Sequence, residues 1–275
     1  MFLAVLPAFG GQEVLLSSMA EHEGQAVLDP ALLGESYRQL VKELGAMVSN
    51  KATMPAFTTG VYGFELDVGT WFVLNDARTR TEDISPWARV DADEIAEPYT
   101  IVPVVSVRKG LPLSTELEAH VGWMADTSTG LVGAQGRVAI LEGFRPLPEL
   151  TAHAGYSGMI GNDELEVSVF DLGIQIGTTL RSGSVQGVNT GLFSPWFDVS
   201  SLRVSAAPIL DVEVADDIGA VPFGGSKTAD HESALVLPQL GAGFQATSRD
   251  VHVRMGLTWV PAAIPTLSAG IGFTL

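Results

Sequence analysis

The sequence predicts an all-β fold: a transmembrane antiparallel β-barrel of about ten strands (eight to twelve), preceded by an N-terminal amphipathic helix. Three observations carry this. Mean hydropathy is positive, at +0.27, yet no stretch reaches the ~18–20 consecutive apolar residues that a spanning helix needs. From about residue 57 onward, apolar and polar residues alternate with a period of two, as in a strand that is apolar on one face only. An amphipathic helical pattern stands before this region and none within it.

Composition narrows the function classes. A net charge of −17 leaves nothing to neutralise a row of phosphates, so nucleic acid is excluded as a partner. With no cysteine, there is no disulfide framework, thiolate nucleophile or Cys-based metal site. No phosphate loop, dinucleotide fingerprint or zinc-helix motif occurs, and no cofactor is expected.

Residues 1–10 match the second half of a secretory signal peptide. Phe2 to Ala8 is a short apolar run, and Ala8 and Gly10 are small residues before a cleavage point. The basic leading region is missing, so the expectation is a partial, truncated signal. Residues 11–56 form a helical segment. Asp29 suits an N-cap and Pro30 the first helical position. Leu33, Tyr37, Leu40, Val41 and Leu44 then fall on one helix face, with Glu35, Arg38, Gln39, Lys42 and Glu43 on the other. Such a helix would cap the periplasmic mouth or plug the lumen.

The barrel domain spans 57–275. Over Gly60–Leu74, Tyr62, Phe64, Leu66, Val68 and Phe72 alternate with Glu65, Asp67 and Trp71. Further runs follow near 99–108, 116–123, 132–140, 150–157, 164–178, 202–214, 234–244, 251–259 and 267–275. The run at 164–178 changes phase near Val169, which suggests a bulge. Pro103, Pro208 and Pro238 fall inside strands and call for a bulge or strand end nearby. An even strand count returns both ends of the barrel to one side. The two long acidic links, Asn75–Pro98 and Ala215–Ser233, then share the other side. The long link at 179–201 breaks this parity, and a hairpin hidden there would give twelve strands.

The polar faces put Glu65, Asp67, Glu116, Glu118, His120, Arg137, His153, Arg203, His252 and Arg254 in the lumen, as a salt-bridged interior. Glu116, Glu118 and His120 recur at every second residue and could hold a metal, but acids paired with Arg137, Arg203 or Arg254 are the stronger reading. No metal site is therefore assigned. A serine hydrolase would need a Ser–His contact. His153 and Ser157 lie about 13 Å apart along one strand, so only a pairing between neighbouring strands could supply it.

The C-terminal octet Ser268–Leu275 resembles the β-signal of bacterial outer-membrane proteins, with Ser268, Gly270, Phe273 and Leu275 in its four key places. The usual last residue is Phe, and Leu275 departs from that. The resemblance implies a location in the bacterial outer membrane among lipid and lipopolysaccharide. It also implies insertion by the barrel-assembly machinery and pairing of the last strand with the first. It points to small barrels in general and to no characterised subfamily. The functional expectation is a non-enzyme: a passive channel for a small or hydrophobic solute, or a structural outer-membrane component. The alternatives are a surface adhesion or binding protein acting through the acidic loops, a soluble ligand-binding β-barrel, and a membrane-embedded hydrolase.

Overall fold

The computed structural model describes residues 14–19, 30–75, 86–90, 98–125, 127–142, 148–185, 188–210, 215, 217–224 and 233–275. The signal-like residues 1–10, the Asp29 cap and most of the two acidic links lie outside them. The strands are β1 (Phe64–Val73), β2 (Thr100–Leu111), β3 (Thr115–Trp123), β4 (Gly130–Glu142), β5 (Glu149–Ile160) and β6 (Leu165–Gly177). They continue with β7 (Leu180–Val185), β8 (Val188–Pro208), β9 (Leu235–Ser248), β10 (Val251–Trp259) and β11 (Pro265–Thr274).

Among the described residues, ten of these strands close an antiparallel wall. Neighbours in sequence pair from β1 to β6 and from β8 to β11, and β6 pairs with β8. The last strand pairs with the first, from Glu65 opposite Thr274 to Val73 opposite Thr266. Closure leaves no free wall edge, which hydrocarbon demands because it cannot hydrogen-bond an unpaired backbone. The hairpin suspected at 179–201 exists, but it adds no wall strand. β7 pairs only with the first part of β8, and the two extend beyond the end of the barrel.

The prolines stand where one ladder has stopped. Pro103 lies one residue outside the β2–β3 ladder, which starts at Val104. Pro238 lies beyond the β9–β10 ladder, which stops at Leu240. Pro208 ends β8. A missing N–H costs nothing where no partner strand needs it.

One barrel end carries tight turns, such as Leu111 to Thr115, where Leu113 and Ser114 take positive φ of 63° and 54°. The opposite end carries the long links after β1 and β8. We call these the turn end and the loop end. Outward residues are apolar and exposed all round the wall, including Val68, Leu117, Val132, Leu172, Leu257 and Ile271. Trp123 and Trp259 lie outward near the loop end, and Phe193, Phe197, Phe244 and Phe273 lie nearer the turn end. That is an apolar band with aromatic margins, the exterior of a barrel solvated by lipid. Leu172→Arg, at the middle of β6, is therefore expected to destabilise the barrel by about 2–4 kcal/mol. Urea unfolding in lipid vesicles reads this directly.

The inner face has two halves. Toward the turn end it is polar. Toward the loop end it is apolar, with Val102, Val104, Leu131, Val167, Val169, Leu202 and Val204 buried. This explains two departures from expectation. β6 has no bulge at Val169: its inward set simply changes from Leu165, Val167 and Val169 to Asp171, Gly173 and Gln175 in unbroken alternation. A register shift lies instead in the β4–β5 ladder, between Ala139 and Leu141. Arg203 was expected in the lumen and faces outward, because Leu202 and Val204 on either side of it are required inside. A long Arg stem can cover apolar wall while its guanidinium reaches the headgroups.

What the apolar half surrounds is the N-terminal segment. Helix α1 (Pro30–Val48) packs against β5, β6 and β8 and against a short helix α2 (Pro86–Arg89) in the first long link. The predicted face holds: Leu33, Tyr37, Leu40, Val41 and Leu44 are all buried. Every residue from Glu43 to Lys51 is buried as well, so the end of the helix lies fully inside the barrel.

Candidate functional site: the occupied lumen

The segment before β1 runs the length of the barrel. At the loop end, a single 3-10 turn (Leu16–Met19) is tied to the links. Leu15 N donates to Val90 O at 3.1 Å, Asn162 Nδ2 donates to Val14 O at 2.9 Å, and Ser17 donates to Glu164 through both N (2.8 Å) and Oγ (2.6 Å). Tyr37 stacks on Phe223 at 6.0 Å, and Trp87 Nε1 donates to the buried Glu43 at 2.5 Å. The helix ends against its own next residues, with Lys51 Nζ donating to the carbonyls of Ala46 and Met47. From Asn50 to Thr59 the chain has no regular secondary structure and descends to the turn end. There Thr59 N donates to Glu116, Thr58 Oγ1 donates to Glu142, and the chain turns at Gly60 (φ 74°) into β1.

Around this segment, the polar half of the wall forms two networks. The larger is a chain of alternating charges. Glu116 accepts from Arg137 (3.3 Å) and Arg108 (2.8 Å), and Arg108 also pairs with Glu65 (3.3 Å). Glu65 then pairs with Arg254 (2.5 Å), Arg254 with Asp67 (2.7 Å), and Asp67 with His252 (2.7 Å). Gln245 Oε1 accepts from Arg254 Nε at 2.6 Å. In the second network, Asp171 accepts from Asn50 Nδ2 (2.5 Å) and Gln135 Nε2 (3.3 Å). His153 Nδ1 lies 2.8 Å from Gln135 Nε2, and its Nε2 lies 2.7 Å from Asp198.

Both networks cross a strand through an inward glycine. Asp67 on β1 and His252 on β10 flank Gly272 on β11. A Cβ at Gly272 would overlap Asp67 Oδ1 and His252 Nε2. Likewise, His153 reaches from β5 over Gly173 of β6 to Asp198 on β8, and a Cβ at Gly173 would lie 2.5 Å from His153 Nε2. Gly272→Ala is therefore expected to split the Asp67–His252 pair and lower unfolding stability by about 1–3 kcal/mol, the range for overpacking an interior. Gly136→Ala, where a Cβ meets nothing closer than 3.9 Å, should change stability little in the same titration.

Nine of the ten residues expected in the lumen are buried there: Glu65, Asp67, Glu116, Glu118, His120, Arg137, His153, His252 and Arg254. Arg203 is the exception. The expected partner of Glu116 is partly right, since Arg137 joins it, but the closer cation is Arg108. Arg108, Asp171, Gln175, Asp198 and Gln239 were not singled out from the sequence, though alternation places each of them on an inward face.

The chemistry open to this arrangement is limited. Glu65, Asp67 and His252 converge closely enough to suggest a metal set. The guanidinium of Arg254 already stands among them, and its fixed positive charge opposes a cation there. Ser157 Oγ and His120 Nε2 both lack a hydrogen-bond partner among the described residues. They stand two strands apart, on either side of Gly133, and no Ser–His hydrogen bond forms. In the lumen, a cavity of about 40 Å³ beside Thr53, Asp67, Trp71, Ser106 and Arg254 remains. That is room for a few water molecules at most.

The closed wall, apolar exterior and pairing of the last strand with the first give this chain the architecture of a membrane-spanning antiparallel β-barrel. No protein-family model matches the chain, and no curated protein matches it in sequence. Solved structures that align with it are barrels. The β domain of the Bordetella autotransporter BrkA is 10% identical, over 78% of this chain and 98% of that one, with a TM-score of 0.39. The KdgM porin is 6% identical, over 76% and 98%, with a TM-score of 0.34. The N-terminal barrel domain of Pseudomonas aeruginosa OprF is 9% identical, over 78% and 99%, with a TM-score of 0.30. Likeness at this level adds nothing to what the geometry shows.

Proposed function

We propose that this protein is a structural component of the outer membrane: a self-plugged barrel that anchors its loop-end surface in the envelope and does not serve as an open diffusion pore. One observation carries the reading. The chain's own N-terminal segment occupies the lumen from Glu43 to Thr59, against an apolar wall in one half and hydrogen-bonding side chains in the other. Solute could pass only after that segment had left. A hydrophobic-compound channel would need such a departure at every opening, which the buried contacts of Tyr37, Leu40 and Leu44 oppose.

The partners that fit this reading are outer-membrane lipid and lipopolysaccharide around the apolar band, and the barrel-assembly machinery as the reader of β11. Adhesion through the acidic links is compatible with it, since both lie at the loop end. Single-channel recording in planar bilayers tests the reading. The full chain is expected to insert without a sustained conductance step. A steady conductance of the size of an empty ten-strand lumen would contradict it.

A further inference from the structure

The turn-end half of the lumen holds residues 50–59 in an unusual way: most of the wall's hydrogen bonds to them go to main chain. Six carbonyls are met by six wall side chains from six strands. Gln239 of β9 donates to Asn50 O (3.2 Å), Trp196 of β8 to Ala52 O (2.8 Å), and Gln175 of β6 to Met54 O (2.5 Å). Arg137 of β4 donates to Pro55 O (2.7 Å), Thr151 of β5 to Ala56 O, and Arg108 of β2 to Phe57 O (2.5 Å). Glu116 of β3 accepts from a seventh main-chain group, Thr59 N. All seven wall residues are buried. A buried donor without a partner costs more than the hydrogen bond itself contributes, so these donors need a polypeptide, or something equally rich in acceptors, in front of them.

The wall also leaves space for a chain. A Cβ at Gly177 would stand 3.1 Å from Ala56 Cβ, and one at Gly241 would stand 3.4 Å from Ala52 Cβ. Side-chain hydrogen bonds to wall carboxylates stand toward the two ends, where Asn50 meets Asp171 and Thr58 meets Glu142; between them Lys51 lies over the Trp71 ring, and Met54 and Phe57 touch Arg108. Ala52, Pro55 and Ala56 carry no hydrogen-bonding side chain.

We propose that this half of the lumen is a binding site for polypeptide main chain in a non-helical conformation, held chiefly through its carbonyls, with residues 50–59 as resident occupant. The inference rests on the plugged-barrel reading and names the ligand class of its polar half. Any chain segment with small residues opposite Gly177 and Gly241 would be held as this one is.

The full chain, which has no native cysteine, allows the test. Thr53→Cys places a single thiol on the segment, and its labelling rate by a membrane-impermeant maleimide in detergent micelles reports whether the segment stays seated. Two changes are compared on that background. In the first, residues 52 and 54–57 are replaced by an unrelated sequence with small residues kept at 52 and 56. In the second, wall donors are removed by Trp196→Phe or Gln175→Leu. The exchanged segment is expected to label within about threefold of the parent. Each donor removal should raise labelling by about two- to twelvefold, the range for one hydrogen bond. Full exposure of the exchanged segment, with donor variants still protected, would overturn the proposal and leave a sequence-specific plug. Rapid labelling of the unaltered Thr53→Cys chain would instead overturn the plugged-barrel reading beneath it. Trp196→Phe keeps a ring in place, so loss of folding is not a confounding result.

Discussion

Arg108→Met is expected to lower the unfolding free energy by about 3–5 kcal/mol, the range for removing one partner from a buried ion pair. Arg108 is fully buried and stands between Glu65 and Glu116. It also holds the carbonyl of Phe57. Its removal leaves two carboxylates facing a low-dielectric interior, with Arg254 and Arg137 each able to serve only one of them. Equilibrium unfolding in urea with the protein in lipid vesicles measures the loss. The double variant Arg108→Met with Glu116→Gln should recover part of it, since one orphaned charge is then gone. A loss below about 1 kcal/mol, typical of exposed pairs, would mean that water enters the lumen and screens the network.

Gly45→Leu is the second large effect, and its readout is conductance. A Cβ at Gly45 would stand 2.6 Å from Val204 Cγ2, in a part of the helix that is enclosed on all sides. Leucine there cannot be seated without moving α1 from β8. Overpacking of this kind typically costs about 1–3 kcal/mol, and here the strain is relieved by movement of the plug. The variant is expected to show conductance steps where the parent is silent. Gly34→Ala is the control, with its nearest neighbour, Gly219 O, at 3.6 Å. Silence from Gly45→Leu in a properly folded barrel would mean that the helix is held by more than its packing.

Much of the wall was legible because a strand's period is two. A residue's parity settles its face wherever the two faces differ in polarity. That is why Glu65, Asp67, His252 and Arg254 were placed correctly, and why the octet ending at Leu275 identified the strand that closes on β1. The failures share one cause. Where α1 lies in the lumen, both faces of the wall are apolar and parity loses its marker. β6 then read as a change of phase, and Arg203 was assigned inward as the polar member of its run. The helix itself was visible from Leu33 to Leu44, but its place inside the barrel was not, since an apolar face specifies no partner. Residues 50–59 left no signal at all. Their contacts are mostly through main-chain carbonyls, which every sequence carries. The crossing glycines were partly visible: Gly272 falls on the inward parity of the last strand, and its lack of a side chain makes room for Asp67 and His252.

The N-terminal segment threads the barrel from the loop end to the turn end. Outer-membrane barrels keep their short turns in the periplasm and their longer loops outside. Ser18 should therefore be reached from the cell exterior and Tyr62, which is 93% exposed at the turn end, from the periplasm. Ser18→Cys and Tyr62→Cys, made singly in a chain without native cysteine, separate the two sides. An impermeant maleimide added to intact cells is expected to label Ser18→Cys at once, and Tyr62→Cys only after the outer membrane is permeabilised. Protection of both positions until permeabilisation would place the two ends of the segment on one side and contradict the threaded plug.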